Sequence, residues 1–555
     1  MLALFSRVSL RSVFSFWRHA PHGTAIGLIT LATLARYFFV ASGQLDLVQD
    51  EAQYWDWSRH MQLSYYSKGP LIAWIIALFT SIFGDTELGV RFGAILGSLA
   101  AQFILYFGIA KLMRRPRLAV ITLAILNTMP LFLASGILMT TDNPLLVCWL
   151  AALFCLHAAV LFPEKCWPFA GFGVAMAVGV LAKYTMLGML GVAALHACFL
   201  WRQGQLPKGH VSKIALVALA GTLAGFLPIL LWNMQHDWAS FRHVGRLAGV
   251  APALADKPAV FRPDRVLEYI GGQMGLVYPW WLFFMLYGGG RALVRSLRRK
   301  AGFSPRAARE AVEYALFAAG FWPIFLFFFV WSFHTRIYAN WPGMCYASGV
   351  VLAAYGVDAV LEKYQTSLGT SGVAAGKEAS AIPWTRKLLP FWLGASAVFC
   401  FLMYAQEPIS RILPERLNPA ARLKGWEDLG RRVDEVRRTL PDPAKVFVFS
   451  DQYDVTAQLA FYVPGRPVTF CADFGRRLNQ YDFWPGPENR EGFDAIFVRR
   501  KPFSAAPEPL GRMFIGLGNP EAFHSTHRGG PGRVFGIQVV RGFTGEWPRM
   551  SKGIY

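Results

Sequence analysis

The chain has 555 residues, 54% of them hydrophobic and only 16% charged, with a formal net charge of +21. A soluble domain carries about a quarter charged residues, so composition excludes an ordinary soluble enzyme. The basic excess lies in loops between apolar runs, which argues for a membrane surface rather than nucleic acid. Seven cysteines (Cys148, Cys155, Cys166, Cys198, Cys345, Cys400 and Cys471) show no paired spacing, so neither a disulfide scaffold nor a Cys/His metal module is expected.

The first residues, MLALFSRVSLRSVFSFWRHAPHG, are basic and lack a clear cleavage site, and read as a cytoplasmic amphipathic segment before an uncleaved first span. Apolar runs long enough to cross a bilayer follow at 24–42, 87–112, 118–139, 144–162, 167–182, 184–201, 214–232, 270–290, 313–332, 342–361 and 388–404, eleven spans in all. The run 70–84 is too short for an upright span and is expected to be re-entrant or interfacial. A Gly/Ser/Ala-rich loop, 364–383, is expected to be flexible. After 404 the character changes, with 22 Lys/Arg against 17 Asp/Glu in 405–555 and frequent Pro and Gly. There KVFVFS (445–450) and AIFVRR (495–500) read as strands and GWEDLGRRVDEVRRTL (425–440) as an amphipathic helix. The expected fold is mainly α: a polytopic helical membrane protein with a membrane-embedded domain, 1–404, and a small soluble α/β domain, 405–555.

Loop charge sets the orientation. With the N-terminus inside, Lys111, Arg114, Arg115 and Arg117 fall in the cytoplasm. So do Arg202, Lys208, Lys213, the cluster from Arg291 to Arg309, and Lys363 to Lys387. Asp50, Glu51, Lys68, Asp142 and Arg336 then lie together on the outer side, and the odd span count exports the C-terminal domain.

Five outer elements stand out: Asp50-Glu51 with Tyr54, Trp55 and Trp57; Tyr65, Tyr66, Lys68 and Pro70; Asp142 in TTDNP; Lys183-Tyr184; and HTRIYANWP with Arg336 and Tyr338. Each has an ordinary explanation. Asp142 can cap a helix beginning at Pro144, the lysines can snorkel, and rim Trp and Tyr are belt residues. The acid pair is hardest to dismiss, because carboxylates at a membrane rim lose hydration and do not anchor a helix as Lys does. Together the five elements describe a divided pocket. Cations suit a phosphate or pyrophosphate, aromatic faces suit a sugar ring, and a carboxylate can act as general base on a hydroxyl. Asp50, Glu51 and Asp142 could hold a divalent cation if they converge, but their spacing matches no standard metal signature, so no metal is assigned and no other cofactor is expected.

The acid pair in DEAQYWDW, the Lys-x-Pro-Leu stretch in YYSKGPLIAW and the Thr-Asp-x-Pro loop in TTDNPLL resemble the GT-C membrane glycosyltransferases. Within them the chain is similar to bacterial homologues of protein O-mannosyltransferases and of aminoarabinose lipid A transferases. LAKYTMLG, ILLWNMQHDWASFRH (229–243) and YANWPG extend the likeness over about 24–361. DQYDVTAQLAFYVPG (451–465) and GRRLNQYDFW (475–484) carry it into the tail. The resemblance implies inverting transfer from a polyprenyl-phosphate sugar to an outer-face acceptor (lipid A or lipopolysaccharide, another glycan, or protein), in a bacterial inner membrane with the site on the periplasmic side. It implies catalytic roles for Asp50, Glu51 and Asp142. It also implies substrate-binding roles for Lys68, which meets the lipid phosphate, and Lys183; Arg336 is assigned to the substrate from its position and charge, and Tyr65, Tyr66, Tyr184 and Tyr338 from their place in the five outer elements. Relatives often have Lys-Pro-Pro where this chain has Lys68-Gly69-Pro70, a change expected to loosen the turn. The alternative is a transporter or lipid flippase, which calls for charges near the bilayer midplane and an internal repeat.

Overall fold

The structure is a computed structural model; it describes residues 20–247, 261–298, 305–369, 383–408 and 423–549. The N-terminal amphipathic segment and most of the 364–383 loop lie outside these residues. Seven described helices are long and apolar enough to cross a membrane: Pro21–Ala41, Glu87–Leu112, Asp142–Leu161, Tyr184–Arg202, His210–Gln235, Arg306–Trp331 and Trp341–Leu361. Shorter apolar helices at Leu71–Phe83, Pro116–Leu126, Trp167–Ala182 and Leu388–Tyr404 fill the bundle.

In chain order we label the helices α1 (Pro21–Ala41), α2 (Gln49–Ser58), α3 (Leu71–Phe83), α4 (Glu87–Tyr106), α5 (Pro116–Leu126), α6 (Pro130–Ser135), α7 (Asp142–Leu161), α8 (Trp167–Ala182), α9 (Gly188–Arg202), α10 (His210–Gln235) and α11 (Ala239–Leu247). They continue as α12 (Pro263–Val277), α13 (Pro279–Leu297), α14 (Pro305–Trp331), α15 (Cys345–Gly369), α16 (Pro383–Tyr404), α17 (Trp426–Thr439) and α18 (Tyr453–Tyr462).

Two expected spans are broken. The run 118–139 becomes α5 and the single-turn α6. Pro130 lacks the N–H that would continue α5 and starts a new helix at its first position. Asn127 meanwhile turns its amide back onto the Leu123 carbonyl (2.9 Å) and across to Gln102 (2.8 Å). The run 270–290 divides at Tyr278, whose φ of 63° ends α12 one residue before Pro279 opens α13. The stretch 70–84 is helical, as α3, and has only 13 residues.

The tail forms one mixed sheet in the order β2-β1-β3-β6-β4, with β5 also pairing β6. Strands β1 (Val446–Ser450), β2 (Thr469–Cys471) and β3 (Asp494–Arg499) run parallel, joined through α18 and loops. The strands β4 (Phe514–Leu517), β5 (Glu521–His527) and β6 (Gly530–Phe543) add the antiparallel half. Both faces are covered, one by Trp426, Leu429, Val433, Val455 and Leu459, the other by a Phe-rich layer with Met513. The 445–450 and 495–500 strands and the 425–440 helix lie where the sequence pattern puts them.

This domain is clamped onto the segment 45–66. Helix α18 lies along α2, with Phe461 edge-on to Trp55 at 4.9 Å. The Leu47 N–H donates to the Tyr462 hydroxyl (2.6 Å) and Gln458 donates to the Leu47 carbonyl (2.8 Å). Tyr481 donates to Asp56 (2.7 Å), and the Tyr66 N–H donates to Gln480 (2.7 Å). Leu47, Ala52, Trp55, Ala457, Ala460 and Phe461 close one apolar core across the junction.

Candidate active site

Helix α2 is buried over seven consecutive residues, Glu51 to Trp57, because spans cover one side of it and α18 the other. Asp50, in its first turn, stays exposed. A carboxylate there is favoured by the unpaired N–H groups of the helix start.

Glu51 faces inward and is fully used. Arg91 of α4 reaches it through Nη2 (2.8 Å) and Nε (3.1 and 3.2 Å). The Met139 N–H (2.8 Å) and the Val48 N–H (2.9 Å) also donate to it, the second being the reach-back bond of a capping box. Arg91 in turn donates to the Leu45 and Asp46 carbonyls, both at 2.8 Å. Glu51 is thus held beneath the surface, on the side away from exposed Asp50. With no exposed surface and every oxygen engaged, it joins the loop before Asp50 to the loop before Asp142. This also removes it from any three-carboxylate metal set with Asp50 and Asp142, and no such set forms among the described residues.

Asp142 and Lys183 meet, as the first residue of α7 and the residue following α8, at 2.6 Å. Asn340 donates to the other Asp142 oxygen at 3.1 Å. The 334–342 loop thus does reach the site, but through Asn340. Arg336 instead pairs with Glu268 at 2.7 Å and is 70% exposed. Tyr338 is also exposed and tilts against Trp341 at 5.4 Å. Neither is brought into the cluster, because the loop turns at Trp341–Met344 and leaves its first half in solvent.

Lys68 lies half-buried between these groups. Burial lowers its pKa, Lys183 lowers it further, and Asp50 and Asp142 oppose both. The Tyr54 hydroxyl is raised well above its ordinary value by burial, then by Asp50, Asp142 and Tyr453. These mutual influences place Asp50, Tyr54, Lys68, Asp142 and Lys183 in one electrostatic neighbourhood. Gly69 makes the approach possible: a Cβ there would sit 2.1 Å from the Leu181 carbonyl oxygen. The glycine lets the Lys68 loop abut the end of α8, two residues before Lys183.

The tyrosines divide. Tyr65 is buried, stacked on Trp57 at 4.5 Å and donating to the Trp57 and His60 carbonyls. Tyr66 is buried between His243 (4.6 Å) and Phe483 (5.7 Å). Tyr184 pairs with Ser240 at 2.8 Å, tying the loop after α8 to α11.

Three contributors escaped sequence reasoning. Tyr453 and Arg477 come from the tail: the Tyr453 hydroxyl feels burial first, then the Asp50 charge, and bonds to Arg477. Both lie in the two tail segments that carried the resemblance, which was the available signal. His243 lines the Lys68 side, its pKa lowered to about 4 by burial, then by Arg477 and Lys68.

The site thus sits on a bundle of apolar spans, with a short carboxylate-bearing helix at its rim and a mixed-sheet domain clamped over that helix. The family model for dolichyl-phosphate-mannose-protein mannosyltransferases matches residues 67–232. The chain is 28% identical over 329 residues to the lipid A galacturonosyltransferase RgtD of Rhizobium johnstonii, covering 58% of this chain and 63% of that protein. It is 27% identical over 248 residues to the undecaprenyl phosphate-alpha-4-amino-4-deoxy-L-arabinose arabinosyl transferase of Edwardsiella ictaluri, covering 42% of this chain and 40% of that protein. The matches thus span less than two thirds of either relative. The crystal structure of ArnT from Cupriavidus metallidurans bound to undecaprenyl phosphate has the same fold, with a TM-score of 0.57 at 14% identity over 93% of this chain and 98% of that one.

Proposed function

We propose that the protein is an inverting glycosyltransferase that moves a sugar from a polyprenyl-phosphate donor to an acceptor on the outer face of a bacterial inner membrane. One observation carries the reading: Asp142 and Lys183 pair at 2.6 Å, and Lys68 feels the charges of both and of Asp50. In the reaction an acceptor oxygen attacks the anomeric carbon, the bond from that carbon to the phosphate oxygen breaks, and polyprenyl phosphate leaves. Lys68 stabilises the leaving phosphate as its charge grows. Asp50 takes the proton of a hydroxyl acceptor, or orients an acceptor that is already an ionised phosphate. Asp142 holds Lys183 toward the phosphate. The named activities of the relatives support a glycolipid acceptor of the lipid A class, with other glycans and protein as the alternatives.

Asp50→Asn tests this in purified protein with a polyprenyl-phosphate sugar and lipid A. Transfer is lost while donor binding and membrane insertion persist; full transfer by the variant removes the mechanism. Release of free polyprenyl phosphate by the wild type separates this reading from transport of an intact lipid.

A further inference from the structure

At the far end of α2 from Asp50, a cavity of about 220 Å³ lies between that helix and the C-terminal domain. Asp56 and His60 form one side of it; Trp484, Asn489, Arg490 and Trp547 form much of the other. Asp56 is six residues beyond Asp50, about 9 Å of rise and about 120° around the helix. The cavity therefore faces a different sector from the Asp50–Lys68 cluster.

Its wall is chemically unbalanced. Neighbouring arginines of the domain are paired, Arg476 with Asp482, Arg499 with Asp451 and Arg549 with Glu488. Arg490 has no carboxylate in ion-pairing reach among the described residues. Its guanidinium lies over the Phe470 ring at 4.9 Å, and burial lowers its pKa. Asn489 is exposed, and its amide makes no hydrogen bond among the described residues. The His60 ring leans on Trp484 at 4.3 Å, and its nitrogens make no hydrogen bond among the described residues. Asp56, by contrast, is answered by Tyr481 at 2.7 Å and Arg59 at 3.5 Å. Two indole rings, an amide, an imidazole and a half-buried guanidinium without a carboxylate partner among the described residues line one cavity. Indoles take the C–H face of a sugar ring, planar polar groups take its hydroxyls, and the arginine fork takes a phosphate or carboxylate.

We propose that this cavity is a second carbohydrate site, separate from the transfer centre, for a sugar ring bearing a phosphate or carboxylate. It does not rest on the transfer reading, because binding is measurable without turnover.

Full-length protein in nanodiscs free of glycolipid is titrated with glucose 1-phosphate, glucuronate and glucose, followed by saturation-transfer NMR and indole fluorescence. The expected result is that both anionic sugars bind and glucose binds at least about tenfold more weakly. Arg490→Ala removes about tenfold of the anionic affinity, Arg490→Lys restores part of it, and Asn489→Ala weakens all three sugars, each variant keeping the wild-type melting temperature. Equal affinity for glucose and the anionic sugars, no binding of any, or full anionic affinity in Arg490→Ala overturns the assignment. A second arm compares free glucose 1-phosphate with a phosphosugar on a lipid in the disc. Tighter binding of the lipid-borne form assigns the site to a membrane glycolipid, and equal binding to a soluble sugar.

Discussion

Asp50 and Glu51 are adjacent in sequence and opposite in surroundings, one exposed at the pocket and the other sealed beneath it. The Glu51–Arg91 pair is wholly buried and ordered by backbone groups from two segments, 45–48 and Met139, so breaking it leaves an uncompensated charge inside the protein. Glu51→Gln is expected to cost about 3–5 kcal/mol of stability, read as a lower melting temperature in detergent. Replacing both partners by Leu recovers part of the loss, whereas a pure catalytic role for Glu51 predicts a normal melting temperature. Lys68 carries a different prediction. Its pKa lies below the ordinary 10.5, first through burial and then through Lys183. A bound phosphate needs the ammonium charged, so donor binding draws a proton in once the pH passes that lowered value. Donor affinity therefore falls as pH rises toward the alkaline range, and Lys68→Arg, which keeps its charge, removes the fall. An unchanged pH profile in that variant assigns the phosphate to another cation.

The elements that build the site are short and irregular: a ten-residue helix, a turn through Ser64–Pro70 and the ends of α7 and α8. Their precision comes from close backbone contact, most plainly at Gly69 against Leu181. Gly69→Ala forces the Lys68 loop away from α8, an overpacking change expected to cost about 1–3 kcal/mol. Donor affinity is expected to fall with it, measured by titration with polyprenyl phosphate. An alanine variant with wild-type affinity would show that the loop has room to move. The breaks at Asn127–Pro130 and at Tyr278-Pro279 follow the same logic, since proline cannot supply the N–H that a continuous span requires. Hydropathy alone joins such runs, because it counts apolar side chains and ignores backbone hydrogen bonds.

In the whole molecule, the C-terminal domain brings Tyr453 within the field of Asp50 and bonds it to Arg477. One latch between that domain and the membrane bundle is titratable. His527 of β5 lies 3.3 Å from buried Asp46, which also accepts the Trp426 N–H at 2.7 Å. Burial opposes the charged ring, but the Asp46 hydrogen bond and charge and the Gln44 carbonyl outweigh it. The His527 pKa is raised above 6.5, and Lys424 opposes it weakly. A raised folded pKa means the stabilisation is complete below about pH 6.5 and is lost as pH climbs through the higher folded value. The melting temperature of the wild type should therefore decline relative to His527→Gln as pH rises from 6.5. Parallel curves would show that the latch carries no charge.

The sequence by itself determined the membrane bundle, the α/β tail and the rim on which Asp50, Lys68, Asp142 and Lys183 gather. Long apolar runs, charge-biased loops and strand-length β-branched and aromatic runs are local patterns that read without a fold. Only the tertiary structure decided that Glu51 turns inward to Arg91, that Arg336 turns out to Glu268 while Asn340 reaches Asp142, and that Tyr453 comes within the field of Asp50 from 403 residues beyond it. The physical reason is that the direction of a side chain at a helix end or in a loop is set by the surface packed against it. That surface comes from elements far away in the chain.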